Sequence, residues 1–320
     1  MRKLITILVV LFIFGISGVA IAQESTDGVI EGQVINGTEG GGSVAGIEVA
    51  LITYIDDVIA ETRTAKTDEE GKFQFDNVAI EHQHLLSARY MEVDYYYLAV
   101  FDPGETTTYV EVGVCDATTS DQAIRVGLAH IIVNVEKESL LVTEVFWLVN
   151  DGDMTYIGTN GVLVFTLPEG ATSFEAPQEL MPDYQLLDDN RVTYLVPFPP
   201  GERQLVYSYR LAKPDSNGLT IPLEINYPTD SLELMVGGEG IEVTATQLAP
   251  AEPVITDTGE RFIHFWEENL PRGTMIDFRL SNLSGDGSPF FVILWVIIAL
   301  VIAGIAFYLV KRRTSKNTNE

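Results

Sequence analysis

The sequence has little cysteine and few basic residues. Its 320 residues include one cysteine, and 19 lysines and arginines stand against 46 aspartates and glutamates, which gives a net charge of −27. Because Cys115 is alone, an intramolecular disulfide is excluded and the fold must be stabilised by burial of a core. The acidic excess excludes nucleic acid as a favoured partner, since its phosphates bind lysine and arginine.

Recognisable catalytic motifs are also missing. The sequence contains neither the Gly-x-Ser-x-Gly elbow nor the His-Glu-x-x-His zinc pair. Cys115 lies at a predicted strand end, where no helix N-terminus lowers the pKa of its thiol. His130 and His264 lie among apolar, β-rich residues, which is typical of histidines on a sheet. We therefore predict that the protein is not an enzyme and has no cofactor.

An apolar run at the N-terminus predicts a signal peptide over residues 1–22. Arg2 and Lys3 precede the run, and small residues at its end place the cleavage site between Ala22 and Gln23. An uncleaved anchor helix is the alternative, because the run is 19 residues long.

A second apolar run, residues 290–310, predicts a transmembrane helix. Twenty-one residues rise about 31 Å, which matches the hydrocarbon core of a bilayer. Lys311, Arg312 and Arg313 follow directly, and such clusters stay on the cytoplasmic side. We expect a single-pass protein of the cell membrane, with its N-terminal bulk on the extracytoplasmic side and a cytoplasmic tail over residues 311–320.

Residues 28–126 predict a first β-sandwich, because apolar residues alternate with period two between turns. One turn is Asp68-Glu-Glu-Gly71, in which aspartate bonds nearby backbone and glycine supplies a positive φ. Three segments carry a resemblance to a family: Gly32-x-Val34, Val44-Ala45-Gly46-Ile47-x-Val49-x-Leu51 and Thr67-Asp68-x-x-Gly71-x-Phe73-x-Phe75. They are similar to the carboxypeptidase regulatory-like domain over about residues 28–115. The resemblance implies a seven-stranded, transthyretin-like or prealbumin-like sandwich that serves as an accessory module without catalytic residues.

Residues 127–285 predict a second β-sandwich region of about ten strands, separated by proline and glycine turns. A seam near 213–218 would divide it into two subdomains. This region resembles membrane-anchored bacterial β ectodomains of unassigned role. The whole chain is therefore predicted to be all-β apart from its transmembrane helix.

Two short motifs could supply metal ligands. His82 and His84 are two residues apart, which on a strand places both rings on one face. Asp151 and Asp153 offer oxygen ligands suited to calcium, although the full twelve-residue loop is missing. The two histidines are explained equally well as part of a polar segment that leads into a strand, and the two aspartates as part of a hairpin turn. We therefore predict no bound metal.

Aromatic residues cluster at 95–97, 146–147 and 262–266. Strand alternation would bury about half of each cluster, and the remainder could contact a partner. With no catalytic motif and a short cytoplasmic tail, the sequence predicts an accessory or scaffold subunit that acts through protein–protein contacts. The alternative is a surface carbohydrate or matrix binder, assisted by calcium.

Overall fold

The computed structural model describes residues 27–159, 161–214, 218–238, 240–257 and 259–283. This part of the chain is all-β, as predicted, and its one helical element is the 3-10 turn Met181–Asp183. Contacts divide the described residues into two units. The first unit contains residues 27–35, 44–89 and 94–112; the second contains residues 36–43 and 90–93 and the described residues from 113 to 283.

The first unit is built from seven strands that form two sheets. The strands are β1 (Asp27–Asn36), β2 (Glu48–Ile55), β3 (Val58–Lys66), β4 (Lys72–Ala79), β5 (Gln83–Tyr90), β6 (Val93–Ala99) and β7 (Thr107–Val114). The three-stranded sheet has the order β4-β1-β7, and the four-stranded sheet has the order β3-β2-β5-β6. A few terminal residues of these strands are counted with the second unit.

The core of the first unit follows from the period-two pattern. In β1, Ile30 and Val34 are buried and alternate with more exposed residues, and Val49 and Leu51 do the same in β2. Alternation of this kind gives each strand one buried and one solvent-facing side. Gly32 lies between Ile30 and Val34 on the buried side, where it leaves room for an aromatic ring.

Fifteen strands are described in the second unit. They are β8 (Ala117–Thr118), β9 (Ile124–Val135), β10 (Ser139–Asn150), β11 (Thr155–Tyr156), β12 (Leu163–Thr166), β13 (Thr172–Glu175), β14 (Tyr184–Leu186), β15 (Arg191–Tyr194), β16 (Gly201–Ala212), β17 (Gly218–Glu224), β18 (Thr229–Gly237), β19 (Glu242–Ala245), β20 (Ala249–Ile255), β21 (Arg261–Leu270) and β22 (Met275–Ser281).

A seven-stranded sheet dominates the second unit, in the order β13-β16-β10-β9-β18-β21-β20. Its long strands β9, β10 and β16 pair antiparallel, whereas β18 pairs parallel with β9. Two three-stranded sheets, β12-β15-β14 and β17-β22-β19, and the short pair β11-β8 complete the unit. One large core joins side chains of the seven-stranded sheet to those of both smaller sheets.

The predicted divisions of the chain differ from these units. The boundary predicted between residues 126 and 127 lies inside strand β9, and the continuous part of the second unit begins at residue 113. The suggested seam at 213–218 separates β16 from β17, which belong to different sheets of the same unit. Both units have the same β periodicity, so the sequence pattern does not mark where contacts change.

Candidate functional site

The first unit presents apolar side chains on the solvent side of its four-stranded sheet. On β2, Ile52 and Tyr54 are half-buried and alternate with buried neighbours. The strand register places Leu85 of β5 opposite Ile52, and Ile59 of β3 opposite Tyr54. Cross-strand partners share a face of the sheet, so these four side chains form one surface.

The edge strand β6 extends the same surface. Tyr96 and Leu98 are 58% and 70% exposed, whereas Tyr95 and Ala99 point inward and are buried. We call the solvent-side group the outer face; it consists of Ile52, Tyr54, Ile59, Leu85, Tyr96 and Leu98.

The outer face departs from the usual pattern of an antiparallel sheet. Such a sheet normally carries polar residues on its solvated side. Ile59 is 58% exposed, and its neighbours on the outer face are half-buried or exposed. Contiguous exposed apolar surface of this kind is typical of protein interaction sites.

The surroundings of the outer face are acidic. The described residues of the first unit include 15 aspartates and glutamates against 4 lysines and arginines. Asp56 and Asp57 form the turn between β2 and β3, both with positive φ. Asp94 lies on β6, where it pairs with Arg89 at 3.2 Å. An apolar patch in acidic surroundings complements a partner patch that is bordered by lysine and arginine.

The histidines proposed as metal ligands lie in the first unit, at the start of β5. His84 is buried, and both ring nitrogens are engaged: Nδ1 lies 3.1 Å from Thr53 Oγ1 and Nε2 lies 2.9 Å from the Ala79 carbonyl oxygen. Burial lowers the pKa of His84 below its ordinary value, which favours the neutral ring. His82 is half-buried and precedes the strand. These contacts leave His84 with a structural role.

The two aspartates proposed for calcium have separate partners in the second unit. Asp151 accepts a hydrogen bond from Arg125 Nε at 2.6 Å. The Asp153 carboxylate accepts one from the Glu39 backbone N–H at 2.9 Å. Within the described ranges, no group of three or more His, Cys, Asp or Glu residues could hold a metal ion.

The remaining nucleophile and base candidates lie in the second unit. Burial raises the pKa of the half-buried Cys115 thiol, and the nearby Asp153 carboxylate adds to this effect. His130 and His264 flank Glu233 on the seven-stranded sheet, with Nε2 to Oε2 distances of 3.3 and 3.7 Å. The hydrogen bond from His130 holds the pKa of the Glu233 carboxyl below its ordinary value.

A buried carboxyl group in the core of the second unit was not predicted from the sequence. Glu144 on β10 is 2% exposed and accepts hydrogen bonds from the hydroxyls of Tyr207, at 2.7 Å, and Tyr209, at 2.8 Å. Burial outweighs both bonds and raises its pKa to about 7. The sequence feature that could have indicated this buried carboxyl is a single glutamate within the mostly apolar run 140–149.

The aromatic clusters divide between core and surface. Tyr95 is buried and Tyr96 is exposed, as alternation predicts. Phe146 is buried and stacks on Phe165, with ring centroids 4.7 Å apart. Trp266 is 40% exposed.

The predicted targeting residues are outside the described part of the chain. These are Ala22 and Gln23 of the predicted cleavage site, the run 290–310 predicted to be a helix, and the flanking Lys311, Arg312 and Arg313. The described residues contain no helix with the length and hydrophobicity that a membrane span requires.

Comparisons with known proteins identify no family. No family model matches the chain, and no curated protein matches it. One solved structure, of a protein from Parabacteroides distasonis that is provisionally described as a protease, is similar at 10% identity and a TM-score of 0.33. The match covers 51% of this chain and 41% of that protein. So distant a likeness carries no argument about fold or activity.

Proposed function

We propose that this chain is a non-catalytic, membrane-anchored, extracytoplasmic β-domain protein that acts as an accessory or scaffold subunit. In this proposal the outer face of the first unit binds a protein partner. The observation that carries it is the group of apolar side chains on the solvent side of the four-stranded sheet, with Tyr96 and Leu98 more than half exposed. The partner surface is an apolar patch bordered by lysine and arginine, because the first unit is strongly acidic.

The family resemblance and the membrane anchor are parts of the same proposal. Seven strands in a three-stranded and a four-stranded sheet support a carboxypeptidase regulatory-like module of the transthyretin type. The apolar run 290–310 and the basic residues after it support a single-pass anchor with a short cytoplasmic tail. A helix there would hold the β units at the extracytoplasmic surface, where they would meet a membrane-protein partner.

Site-specific crosslinking tests the outer face. We expect a photo-crosslinking residue at Leu98, in the full-length protein in its native membranes, to capture one or two membrane proteins at near-stoichiometric yield. The double variant Tyr96→Glu/Leu98→Glu should reduce the co-purified partner at least about tenfold, because buried charges without partners weaken an interface strongly. Its unfolding temperature should stay within about 2 °C of the parent, because both side chains are exposed.

The matched control places the same crosslinker at Gln74, an exposed position on β4 of the other sheet. Equal capture at Leu98 and Gln74 would contradict the proposal. Undiminished partner recovery with the double variant would also contradict it.

The alternative function, a surface carbohydrate or matrix binder, is favoured by a different observation in the second unit. There a polar cleft is lined by hydroxyl and carboxylate groups. Calcium assistance through Asp151 and Asp153 has no support in their contacts, because each carboxylate already has a separate protein partner.

A further inference from the structure

A polar cleft of about 500 Å³ opens on the second unit. Its walls come from distant parts of the sequence: the segment after β8, strands β11 and β12, the end of β17 and the turn between β21 and β22. This volume lies in the range of small-molecule sites, ~300–1,000 Å³. Most lining residues are hydroxyl, amide or charged residues, which indicates a polar ligand.

Hydrogen bonds hold the inner wall of the cleft in place. The Asn226 side-chain oxygen accepts a bond from the Thr166 backbone N–H at 3.1 Å, and its amide nitrogen donates to Thr166 Oγ1 at 3.0 Å. The Val164 backbone N–H donates to the Tyr227 hydroxyl at 3.0 Å. Because this wall is already ordered without a ligand, binding loses less conformational entropy.

The arginines of the cleft are already neutralised. Arg272 pairs with Asp121 at 2.6 Å, and its guanidinium lies 5.6 Å from the centre of the Tyr227 ring. Arg191 pairs with Asp189, also at 2.6 Å. Phosphate and carboxylate ligands bind where positive charge is in surplus. Since these arginines are paired and Glu224 adds a negative charge, an anionic ligand is disfavoured.

Other polar groups of the cleft are uncommitted. The Glu224 carboxylate and the hydroxyls of Tyr156 and Thr119 have no hydrogen-bond partner among the described residues. Burial raises the pKa of Tyr156, and Asp121 adds to the shift, so its hydroxyl keeps its proton. Carboxylates accept hydrogen bonds, whereas hydroxyls both donate and accept them. The matching ligand carries several hydroxyl groups and no net charge.

We propose that this cleft binds a neutral oligosaccharide, whose hydroxyls bond to Glu224, Tyr156 and Thr119. This proposal rests on the alternative function, carbohydrate binding, and gives it a specific site. It does not depend on the protein binding that we propose for the outer face. A bound cation is a weaker match, since the described residues offer no group of three ligands that could hold one.

An oligosaccharide array probed with the detergent-solubilised full-length protein tests this assignment. We expect binding to at least one neutral oligosaccharide, and isothermal titration with that sugar should give a dissociation constant for comparison. Glu224→Ala should weaken binding about tenfold, because a charge-assisted hydrogen bond is lost. Thr119→Trp should abolish binding by filling the cleft, since Thr119 lines it and is exposed.

The control is Ser120→Trp, which adds the same bulk at an exposed position one residue away from Thr119 and outside the lining. It should bind within about twofold of the parent. The proposal is overturned if no neutral oligosaccharide binds, if only inorganic phosphate or acidic sugars bind, or if both tryptophan variants lose binding equally. Crosslinking from Leu98 should be the same in the Thr119→Trp variant, so failure of one proposal is distinguishable from failure of the other.

Discussion

Glu144→Gln should remove the loss of stability that we expect of the parent protein as pH rises through about 7. Between pH 5 and pH 9, the free energy of unfolding of the second unit should change in favour of the variant by about 2–3 kcal/mol. The glutamine oxygen can accept a hydrogen bond from one of the two tyrosines, and its amide can donate to the other. The variant therefore keeps a bonded polar group in the core that does not ionise.

The direction follows from the pKa of the buried carboxyl. Burial raises the pKa of Glu144 from an ordinary 4.5 to about 7 in the folded protein, although Tyr207 and Tyr209 donate to it. A group with a raised folded-state pKa contributes stability that is fully present below its unfolded pKa. That contribution is lost as pH rises through about 7, because the folded protein must then ionise a buried carboxyl.

Tryptophan fluorescence during urea unfolding measures this effect. Trp147 and Trp266 lie in the second unit, and the third tryptophan, Trp295, is outside the described residues. Glu242→Gln removes an exposed carboxyl from the same unit and should keep the parental pH dependence. Parallel pH profiles for the parent and Glu144→Gln would contradict the prediction.

Removing one of the two tyrosine hydroxyls that donate to Glu144 should lower stability above pH 7, the opposite of the effect of Glu144→Gln. Tyr207→Phe deletes the hydroxyl that donates to Glu144 Oε2 at 2.7 Å. A hydrogen bond to a charged group contributes about 1.5–3 kcal/mol, so the variant should be less stable than the parent above pH 7. The deficit should shrink at pH 5, where the folded carboxyl is protonated. An equal deficit at both pH values would mean that the tyrosine acts by packing alone.

The local turn chemistry of the first unit could be predicted from its sequence. The turn at residues 68–71 is confirmed: Asp68 Oδ1 accepts hydrogen bonds from the backbone N–H groups of Glu70 and Lys72, and Gly71 has a φ of 82°. Such turns depend on neighbouring residues only, so a short sequence contains the necessary information. The outer face was harder to predict, because β2 is apolar on both sides and its pattern does not say which side is solvated.

The arrangement of the second unit depends on contacts between distant residues. Its central sheet requires the parallel pairing of β9 with β18, in which Glu233 lies opposite His130. A periodic pattern identifies strands but does not specify their partners. The cleft could not be predicted for the same reason, because Thr119, Glu224 and Arg272 meet only after this topology forms.

Gly32→Ala should destabilise the first unit by about 3 kcal/mol or more, the upper end of what overpacking costs. A Cβ at this position would lie 2.3 Å from Phe73 Cζ and 2.6 Å from the Val110 carbonyl oxygen. The second contact is with backbone, so no side-chain rotation removes it. Gly104→Ala is the matched control: its Cβ would meet nothing within 4 Å, but its φ is 90°. The control should therefore cost only the backbone strain, about 1–2 kcal/mol.

Hydrogen exchange distinguishes local destabilisation of the first unit from destabilisation of the whole protein. Peptides from β1, β4 and β7 should lose protection in Gly32→Ala, while the tryptophan fluorescence of the second unit follows the parental unfolding curve. Phe73→Leu in the Gly32→Ala background relieves the ring contact but leaves the Val110 carbonyl in place. The double variant should thus be more stable than the sum of the single effects predicts, yet less stable than Phe73→Leu alone. Parental protection in Gly32→Ala would mean that β1 and β7 can separate at low cost, contrary to a tightly packed first sandwich.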